Sequence, residues 1–346
     1  MVPQILAEHL TLQPVSYIHE MLGHTREDFC FPCNTTVGLV NTGNTCYANS
    51  LLQALSALTH VQHWARQHLR IHSKPNHLCV FCTLGRDLTQ LVSSPHSRNM
   101  TPMIVQTQEY WRSTTFVQGH QEDVTEFWAA LLDTCNEIDL QSYNALLDTN
   151  LAQASPVRYT TPFWNIFGIR GYDMTTCNAC GQTTASHWCR SELQLDIPRG
   201  NKQTLQSCIE AYFLSNALED RNDKCEDRCR RHGCRRKQAY VTAWPDILTI
   251  QLKRWIPTVH GTYIKEHRPV SLPQLLKDLP GAPTVEYNLR AAVIHQGEAG
   301  AGHYINMTKS RDDDSRILSS DTSITRNAAN ILGQLQQAFL IVYERA

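Results

Sequence analysis

The chain has 346 residues, 42% of them apolar and 18% charged, and its 31 basic and 32 acidic side chains leave a formal net charge of −1. Such a chain is too apolar to stay disordered and too poor in charge for a coiled coil, and its balanced charge gives no overall field toward nucleic acid or an anionic membrane. Apolar stretches such as Ala338 to Tyr343 are far too short for a bilayer span, and Met1 to Leu12 lacks the basic-then-apolar order of a signal peptide, so an intracellular globule in cytoplasm or nucleus is expected.

Residues 1–36 carry no strong period and read as an N-terminal extension. From Leu51, the positions Leu51, Leu52, Leu55 and Leu58 recur at helical spacing. Val124, Phe127, Trp128, Leu131, Leu132 and Cys135 form a second helical stripe between Gln121 and Asn136. After about Pro162 the texture turns to strands. Ile247 to Trp255 is an apolar, β-rich run, and Tyr287 to His295 alternates with Tyr287, Leu289, Ala291 and Val293 expected on one face. His303, Ile305 and Met307 alternate again beyond a turn containing Gly297, Gly300 and Gly302, and Phe339, Ile341 and Tyr343 close the chain. Helices first and antiparallel strands later predict an α+β fold.

The 13 cysteines are an odd count in a long chain without a secretory signal, which argues against a disulfide framework. Three pairs have two-residue spacing: Cys30 with Cys33, Cys79 with Cys82, and Cys177 with Cys180; Cys225, Cys229 and Cys234 form a looser cluster. In a reducing compartment these spacings suggest metal ligation. Thr176 to Lys237, bracketed by cysteines, reads as an insertion held by a metal. Cys30, Cys33, Cys79 and Cys82, with His72 and His77 close in sequence, are a candidate second set.

One cysteine stands apart. In Val37-Gly-Leu-Val-Asn-Thr-Gly-Asn-Thr-Cys-Tyr-Ala-Asn-Ser50, Cys46 lies where a turn hands over to a helix. Unpaired N–H groups and the positive end of the macrodipole there favour thiolate over thiol, which predicts a lowered pKa. Asn41 is placed to donate its amide to a tetrahedral oxyanion. A base is available in His303, after the glycine-rich turn, and the Asp321 carboxylate is a candidate to fix its tautomer.

Together these segments resemble the ubiquitin-specific proteases, a family of papain-like cysteine peptidases. The resemblance rests on Gly38-Leu-Val-Asn-Thr-Gly-Asn-Thr-Cys-Tyr-Ala-Asn-Ser-Leu-Leu-Gln53, on Gln121-Glu-Asp-Val-Thr-Glu-Phe127 and on Pro245-Asp-Ile-Leu-Thr-Ile-Gln-Leu-Lys-Arg-Trp255. It continues through Val293-Ile-His-Gln-Gly, Gly302-His-Tyr304 and Ala338-Phe-Leu-Ile-Val-Tyr-Glu-Arg345. Trp255 stands where the family usually has phenylalanine, and Arg316-Ile-Leu-Ser-Ser precedes Asp321 in place of an aromatic run. Asp312, Asp313 and Asp314 fall too early for the Asp321 role and read as a solvated turn.

The resemblance implies a catalytic core over 37–346 after the 1–36 extension: a helical thumb over roughly 37–160, zinc-stapled fingers over roughly 163–245, and an antiparallel palm over roughly 246–346. It implies a thiol-dependent deubiquitinase acting after the C-terminal glycine of ubiquitin, with Cys46 as nucleophile, His303 as general base, Asp321 orienting the imidazole and Asn41 as oxyanion donor. Gln121, Asp123 and Glu126 fall where the family grips the arginine-bearing ubiquitin tail, although carboxylates there also suit a helix N-terminus. Cys177, Cys180, Cys225 and Cys229 are the implied Zn2+ ligands, with Cys234 as the alternative fourth. Ubiquitin and ubiquitinated proteins are the implied partners of a monomer, with neither membrane nor nucleic acid expected despite the basic run Arg221 to Lys237. A ubiquitin-binding pseudoprotease and a protease for a ubiquitin-like modifier are the alternatives.

Overall fold

A helix that is covered on every side must pair its own polar groups. Helix α1 (Cys46–Ser56) is buried along its entire length. Ser50 Oγ donates to Tyr47 O at 2.9 Å, Ser56 Oγ to Gln53 O at 2.8 Å, and Gln53 Nε2 to Val37 O at 2.9 Å. The apolar period alone predicts a helix from Leu51. The helix begins five residues earlier because Asn49 and Ser50 are buried and bonded instead of facing water.

The computed structural model describes residues 37–71, 79–93, 99–106, 116–117, 119–147, 161–200, 203–214, 216–217, 224–225, 228–310, 313, 315–328 and 331–346. The predicted 1–36 extension, with Cys30 and Cys33, lies outside them, as do His72, His77, Asp312 and Asp314.

Around α1 pack α2 (Thr59–Ile71), α3 (Val80–Ser93), a 3-10 turn (Ile104–Gln106), α4 (Val124–Leu147) and α5 (Pro162–Phe167). Edge-to-face aromatic contacts lock them: Tyr47 against Phe127 with centroids 5.0 Å apart, and Trp128 against Phe167 at 5.6 Å. Asp87 on α3 receives the N–H groups of Met103 and Ile104, each at 2.9 Å, and burial pushes its carboxyl up to about 6.

The second half is mainly strand. β1 (Ile169–Cys177) and β2 (Thr183–Arg190) are followed by β3 (Leu193–Leu195), β4 (Gln203–Thr204), α6 (Leu205–Phe213), β5 (Asn216–Ala217) and β6 (Arg235–Ala243). Then come β7 (Ile247–Leu252), β8 (Trp255–Pro257), β9 (Tyr263–Lys265), β10 (Val270–Ser271) and β11 (Leu275–Leu276). β12 (Tyr287–Glu298), β13 (Ala301–Lys309), β14 (Arg316–Ser320), β15 (Ser323–Arg326), α7 (Ile331–Leu335) and β16 (Ala338–Arg345) complete the chain. One antiparallel sheet runs β2-β1-β6-β5. A larger sheet runs β15-β14-β13-β12-β16-β7-β3, antiparallel except where β3 lies parallel to β7.

The larger sheet is covered on both faces, which explains why its central strands are nearly continuous apolar runs. On β16, Leu340 and Val342 join the core shared with the helices, while Ile341 and Tyr343 join the core on the opposite face. The same partition corrects the expectation for β12. Tyr287 and Leu289 lie in the far core, but Ala291 and Val293 lie in the helix-side core. A register irregularity against β16 between Leu289 and Ala291 inserts one residue and flips the alternation.

Arg254, in the Leu-Lys-Arg segment after β7, is 1% exposed. Its guanidinium donates to four backbone carbonyls, Ala338 O (2.8 Å), Gln336 O (2.7 Å), Glu266 O and Arg268 O (2.9 Å each). It clasps the start of β16 to the 266–268 segment, and burial pulls its pKa down to about 10.

Candidate active site

Cys46 is the first residue of α1 and is 2% exposed. Burial pushes its thiol pKa up and the Asp321 charge adds to this, against the N–H groups of Tyr304, Tyr47 and Cys46 itself, which favour the thiolate. The helix terminus therefore acts in the expected direction but does not set the net shift, because the site is drier than the sequence suggests. The N–H of Tyr304 brings the sulfur against β13 one residue from His303.

Asn41 Oδ1 accepts from Gly43 N at 3.0 Å and Thr45 N at 3.1 Å, which folds the loop leading into the helix. Leu39 N donates to Asp321 O at 2.9 Å, so this loop is pinned to the β14–β15 turn. Gly38 is required at that crossing, since a Cβ there would come within 2.6 Å of Thr322 Cα. Asp321 occupies the turn at φ 48, a left-handed conformation that aspartate tolerates better than most residues.

The imidazole of His303 departs from the expected pairing. Its Nε2 lies 2.9 Å from Ser320 Oγ and 4.0 Å from Asp321 Oδ2. Asp321 is instead held by two amides: Asn49 Nδ2 donates to Oδ1 at 2.8 Å and Asn41 Nδ2 to Oδ2 at 2.9 Å. Strand register supplies the reason. Asn306 faces Ser319 across β13 and β14, so Ser320 and His303 fall on the same side of the sheet as diagonal neighbours, while residue 321 belongs to the other parity. Ser320 and Asn49 were missed in the sequence. Only this register, together with the first-turn position of Asn49, could have revealed them.

Gln121 lies beside the same strand: its Nε2 donates to Gly302 O, and its Oε1 accepts from Gly302 N at 3.3 Å. The glycine-rich turn is a continuation of the β12–β13 hairpin, paired as far as Glu298 and Ala301. Gly302 packs directly over the His295 imidazole, where a Cβ would collide with the ring.

Asp123 caps α4. Its Oδ1 accepts from Thr125 N at 2.7 Å and Glu126 N at 3.2 Å, and its Oδ2 accepts from Trp255 Nε1 at 2.6 Å. Both oxygens are thus engaged within the chain. Glu126 is exposed, and partial burial with the Asp123 and Glu122 charges beside it raises its carboxyl pKa.

At the far end of the smaller sheet, the thiols of Cys177, Cys180, Cys225 and Cys229 all lie within 4.8 Å of one another. Cys177 is 3.6 Å from Cys229, and Cys180 is 3.7 Å from Cys225. An S···S edge of about 3.8 Å is what tetrahedral coordination at about 2.3 Å requires, so the four sulfurs fit a zinc-sized ion. Cys234 approaches Cys177 at 3.3 Å but is not one of the mutually close four.

A helical lobe on one face of an antiparallel sheet, with a cysteine opening the central helix and a histidine on the sheet, defines a papain-like cysteine peptidase fold. The chain belongs to the ubiquitin carboxyl-terminal hydrolase family, whose sequence model matches residues 37–343. It is 29% identical over 285 residues to ubiquitin carboxyl-terminal hydrolase 36 of Drosophila pseudoobscura pseudoobscura, covering 79% of this chain and 26% of that protein. It is 26% identical over 354 residues to ubiquitin carboxyl-terminal hydrolase 17-like protein C of Mus musculus, covering 96% of this chain and 61% of that one. The chain thus spans about a quarter of the first relative's length. Among solved structures, it shares its fold with the SAGA Ubp8/Sgf11/Sus1/Sgf73 DUB module bound to ubiquitin aldehyde. The TM-score is 0.71 at 20% identity, covering 96% of this chain and 75% of that one. The Ubp8-Sgf11-Sgf73-Sus1 SAGA DUB module matches at TM-score 0.72 and 20% identity, covering 96% and 73%. None of the described helices is long and apolar enough to cross a membrane.

Proposed function

We propose that the chain is a thiol-dependent deubiquitinase that hydrolyses the bond after the C-terminal glycine of ubiquitin on conjugates. The observation that carries this reading is Cys46 at the start of α1, bonded by the N–H of Tyr304, the residue that follows His303 on β13, with the His303 Nε2 held by Ser320. With Nε2 engaged, Nδ1 is the nitrogen left for the thiol. His303 takes the Cys46 proton, and the sulfur attacks the glycine carbonyl carbon. The resulting oxyanion is met by first-turn N–H groups of α1 and by the second amide proton of Asn41, the first being bonded to Asp321. Collapse breaks the C–N bond as His303 protonates the departing lysine amine, leaving a thioester on Cys46. Water, deprotonated by His303, then releases the ubiquitin carboxylate and restores the thiol.

Ser320 orients the imidazole in this scheme, and Asp321 organises Asn41 and Asn49. Gln121, Asp123 and Glu126 flank the channel for the ubiquitin tail. Zn2+ held by Cys177, Cys180, Cys225 and Cys229 would tie the two knuckles of the fingers together, a structural role. Ubiquitinated proteins are the substrates of this reading, met by the chain as a monomer in cytoplasm or nucleus.

The test is a ubiquitin carrying a C-terminal thiol-reactive group, incubated with the wild-type chain and with Cys46→Ala. An adduct on Cys46, absent from the variant, is the expected result. A folded wild-type chain that forms no adduct would overturn the reading in favour of a ubiquitin-binding pseudoprotease. An adduct only with probes built on ubiquitin-like proteins would assign a different modifier.

A further inference from the structure

Five cysteines crowd a centre that needs four. The mutually close sulfurs of Cys177, Cys180, Cys225 and Cys229 complete a tetrahedral set. Yet Cys234 Sγ lies 3.3 Å from Cys177 Sγ, nearer than Cys229 Sγ at 3.6 Å. The backbone holds Cys234 in that place. It immediately precedes β6, whose Arg235 faces Cys177 across the β1–β6 ladder, and its carbonyl accepts the Asn178 N–H at 2.8 Å. Its own thiol donates to Arg231 O at 3.4 Å.

We propose that Cys177 and Cys234 form a reversible disulfide when the chain meets a peroxide, a modification site that opens the zinc centre of the fingers. The inference rests on the zinc reading of Cys177, Cys180, Cys225 and Cys229 given above. Coordination decides which thiol reacts. A sulfur bound to the ion offers its electron pair to the metal, whereas Cys234, outside the four, keeps its own for an oxidant. Exposure decides the same way. Cys234 is half-buried and Cys177 is 1% exposed, so the peroxide reaches Cys234 first.

The chemistry balances in two steps. The Cys234 sulfur attacks one peroxide oxygen and the O–O bond breaks. That oxygen stays on sulfur as a sulfenic acid, and the other leaves as hydroxide, which takes the thiol proton and becomes water. The Cys177 sulfur then attacks the sulfenic sulfur. An S–S bond forms, the S–O bond breaks, and the departing hydroxide takes a proton from solvent. The two sulfurs have lost two electrons, and the peroxide has become two waters. Their separation closes from 3.3 Å to the disulfide length of about 2.0 Å, a short movement for two side chains already in contact. Three thiolates then remain where four held the ion. A small thiol reverses the step by thiol–disulfide exchange. Cys46 is 2% exposed and lies in the helical lobe, so the modification acts on the fingers and leaves the nucleophile intact.

The test adds hydrogen peroxide to the wild-type chain and to Cys234→Ser. Zinc content is measured before treatment, and release is followed with a chromogenic chelator. Trypsin, cutting after Lys224, Arg228, Arg230, Arg231 and Arg235, then places Cys225, Cys229 and Cys234 in three separate peptides for mass mapping without reductant. The two proteins should start with equal zinc. Wild type should release it and yield the peptide of residues 232–235 linked through Cys234 to Cys177, a link that dithiothreitol breaks. Release from Cys234→Ser should be at least about ten-fold slower. Equally fast release from the folded variant overturns the proposal, as does a link from Cys177 to Cys225 or Cys229 in place of Cys234. Less zinc in the folded, untreated variant would make Cys234 a ligand and overturns it too. The mapping needs only the wild-type chain, so it decides the pairing even where the variant does not fold. A wild-type chain that carries no zinc before treatment would instead overturn the metal reading, and the mapped peptides would still decide whether Cys177 and Cys234 pair.

Discussion

Ser320 Oγ, at 2.9 Å, meets the His303 imidazole, and the neighbouring Asp321 carboxylate is turned instead onto the amides of Asn49 and Asn41. The two residues therefore have separable jobs. A neutral hydrogen bond to the imidazole is worth about 1 kcal/mol, so Ser320→Ala should lower kcat about five-fold with little change in melting temperature. Asp321→Ala strips the buried Asn49 amide of an acceptor and should destabilise the fold by about 1–3 kcal/mol. Ser320→Asp places a charged acceptor against Nε2 and should keep kcat at the wild-type level or above it, since charge-assisted bonds are about twice as strong as neutral ones. Turnover of a fluorogenic ubiquitin C-terminal substrate and thermal melts separate these effects. A Ser320→Ala enzyme with unaltered kcat and pH profile would reject the orienting role.

Trp255 introduces an indole N–H where phenylalanine has none, and that N–H holds Asp123 Oδ2 at 2.6 Å. In the proposed function, an arginine of the ubiquitin tail would compete with it for the carboxylate. Trp255→Phe should therefore lower KM for ubiquitin substrates about three-fold or more while leaving kcat nearly unchanged, since charge-assisted bonds exceed neutral ones by about 1 kcal/mol. Adding Asp123→Asn in the Trp255→Phe background should abolish the gain. If the single variant leaves KM unchanged, Asp123 acts only as the cap of α4.

Arg254 offers a prediction about stability alone. A lysine in its place can reach some of the four carbonyls but lacks the planar fork that serves Ala338, Gln336, Glu266 and Arg268 together. Arg254→Lys should cost about 3 kcal/mol, because buried carbonyls lose partners and a buried cation loses acceptors. A lower urea midpoint at constant m value is the expected signature. A midpoint within error of wild type would mean that water replaces the lost bonds.

Legibility in the sequence followed the range of the interactions. Cys46 and the α4 stripe are readable because neighbouring residues build them, and the strand runs at Ile247 and Phe339 because burial on both faces makes them apolar throughout. The β12 bulge at Arg290 has no local mark, since arginine does not advertise an inserted residue; it reverses the faces assigned to Ala291 and Val293. The choice between Ser320 and Asp321 turns on a one-residue parity across β13 and β14. Chemical intuition favours the carboxylate there, and register favours the hydroxyl.

His295 carries the expected pH dependence. It is 5% exposed, packed edge-on against Trp255, Tyr304 and Phe339 and covered by Gly302, with Lys265 Nζ 3.4 Å from its Nδ1. Burial first, and the Lys265 charge second, pull its pKa down from 6.5 to about 4, while Asp123 and Glu298 act weakly the other way. The unfolded chain thus takes up a proton near pH 6.5 that the folded chain refuses until about pH 4. Stability from this group is complete above pH 6.5 and is lost as the pH falls toward 4, by up to about 3 kcal/mol. Asp87 opposes it, because a carboxyl raised to about 6 binds its proton more readily in the fold and gains stability on acidification. The difference between wild type and His295→Gln cancels the Asp87 contribution. Urea midpoints of the two proteins should therefore diverge at pH 7.5 and converge toward pH 4.5. Parallel curves would mean that His295 already titrates freely in the folded chain, and that the Gly302 backbone over its ring does not keep water out.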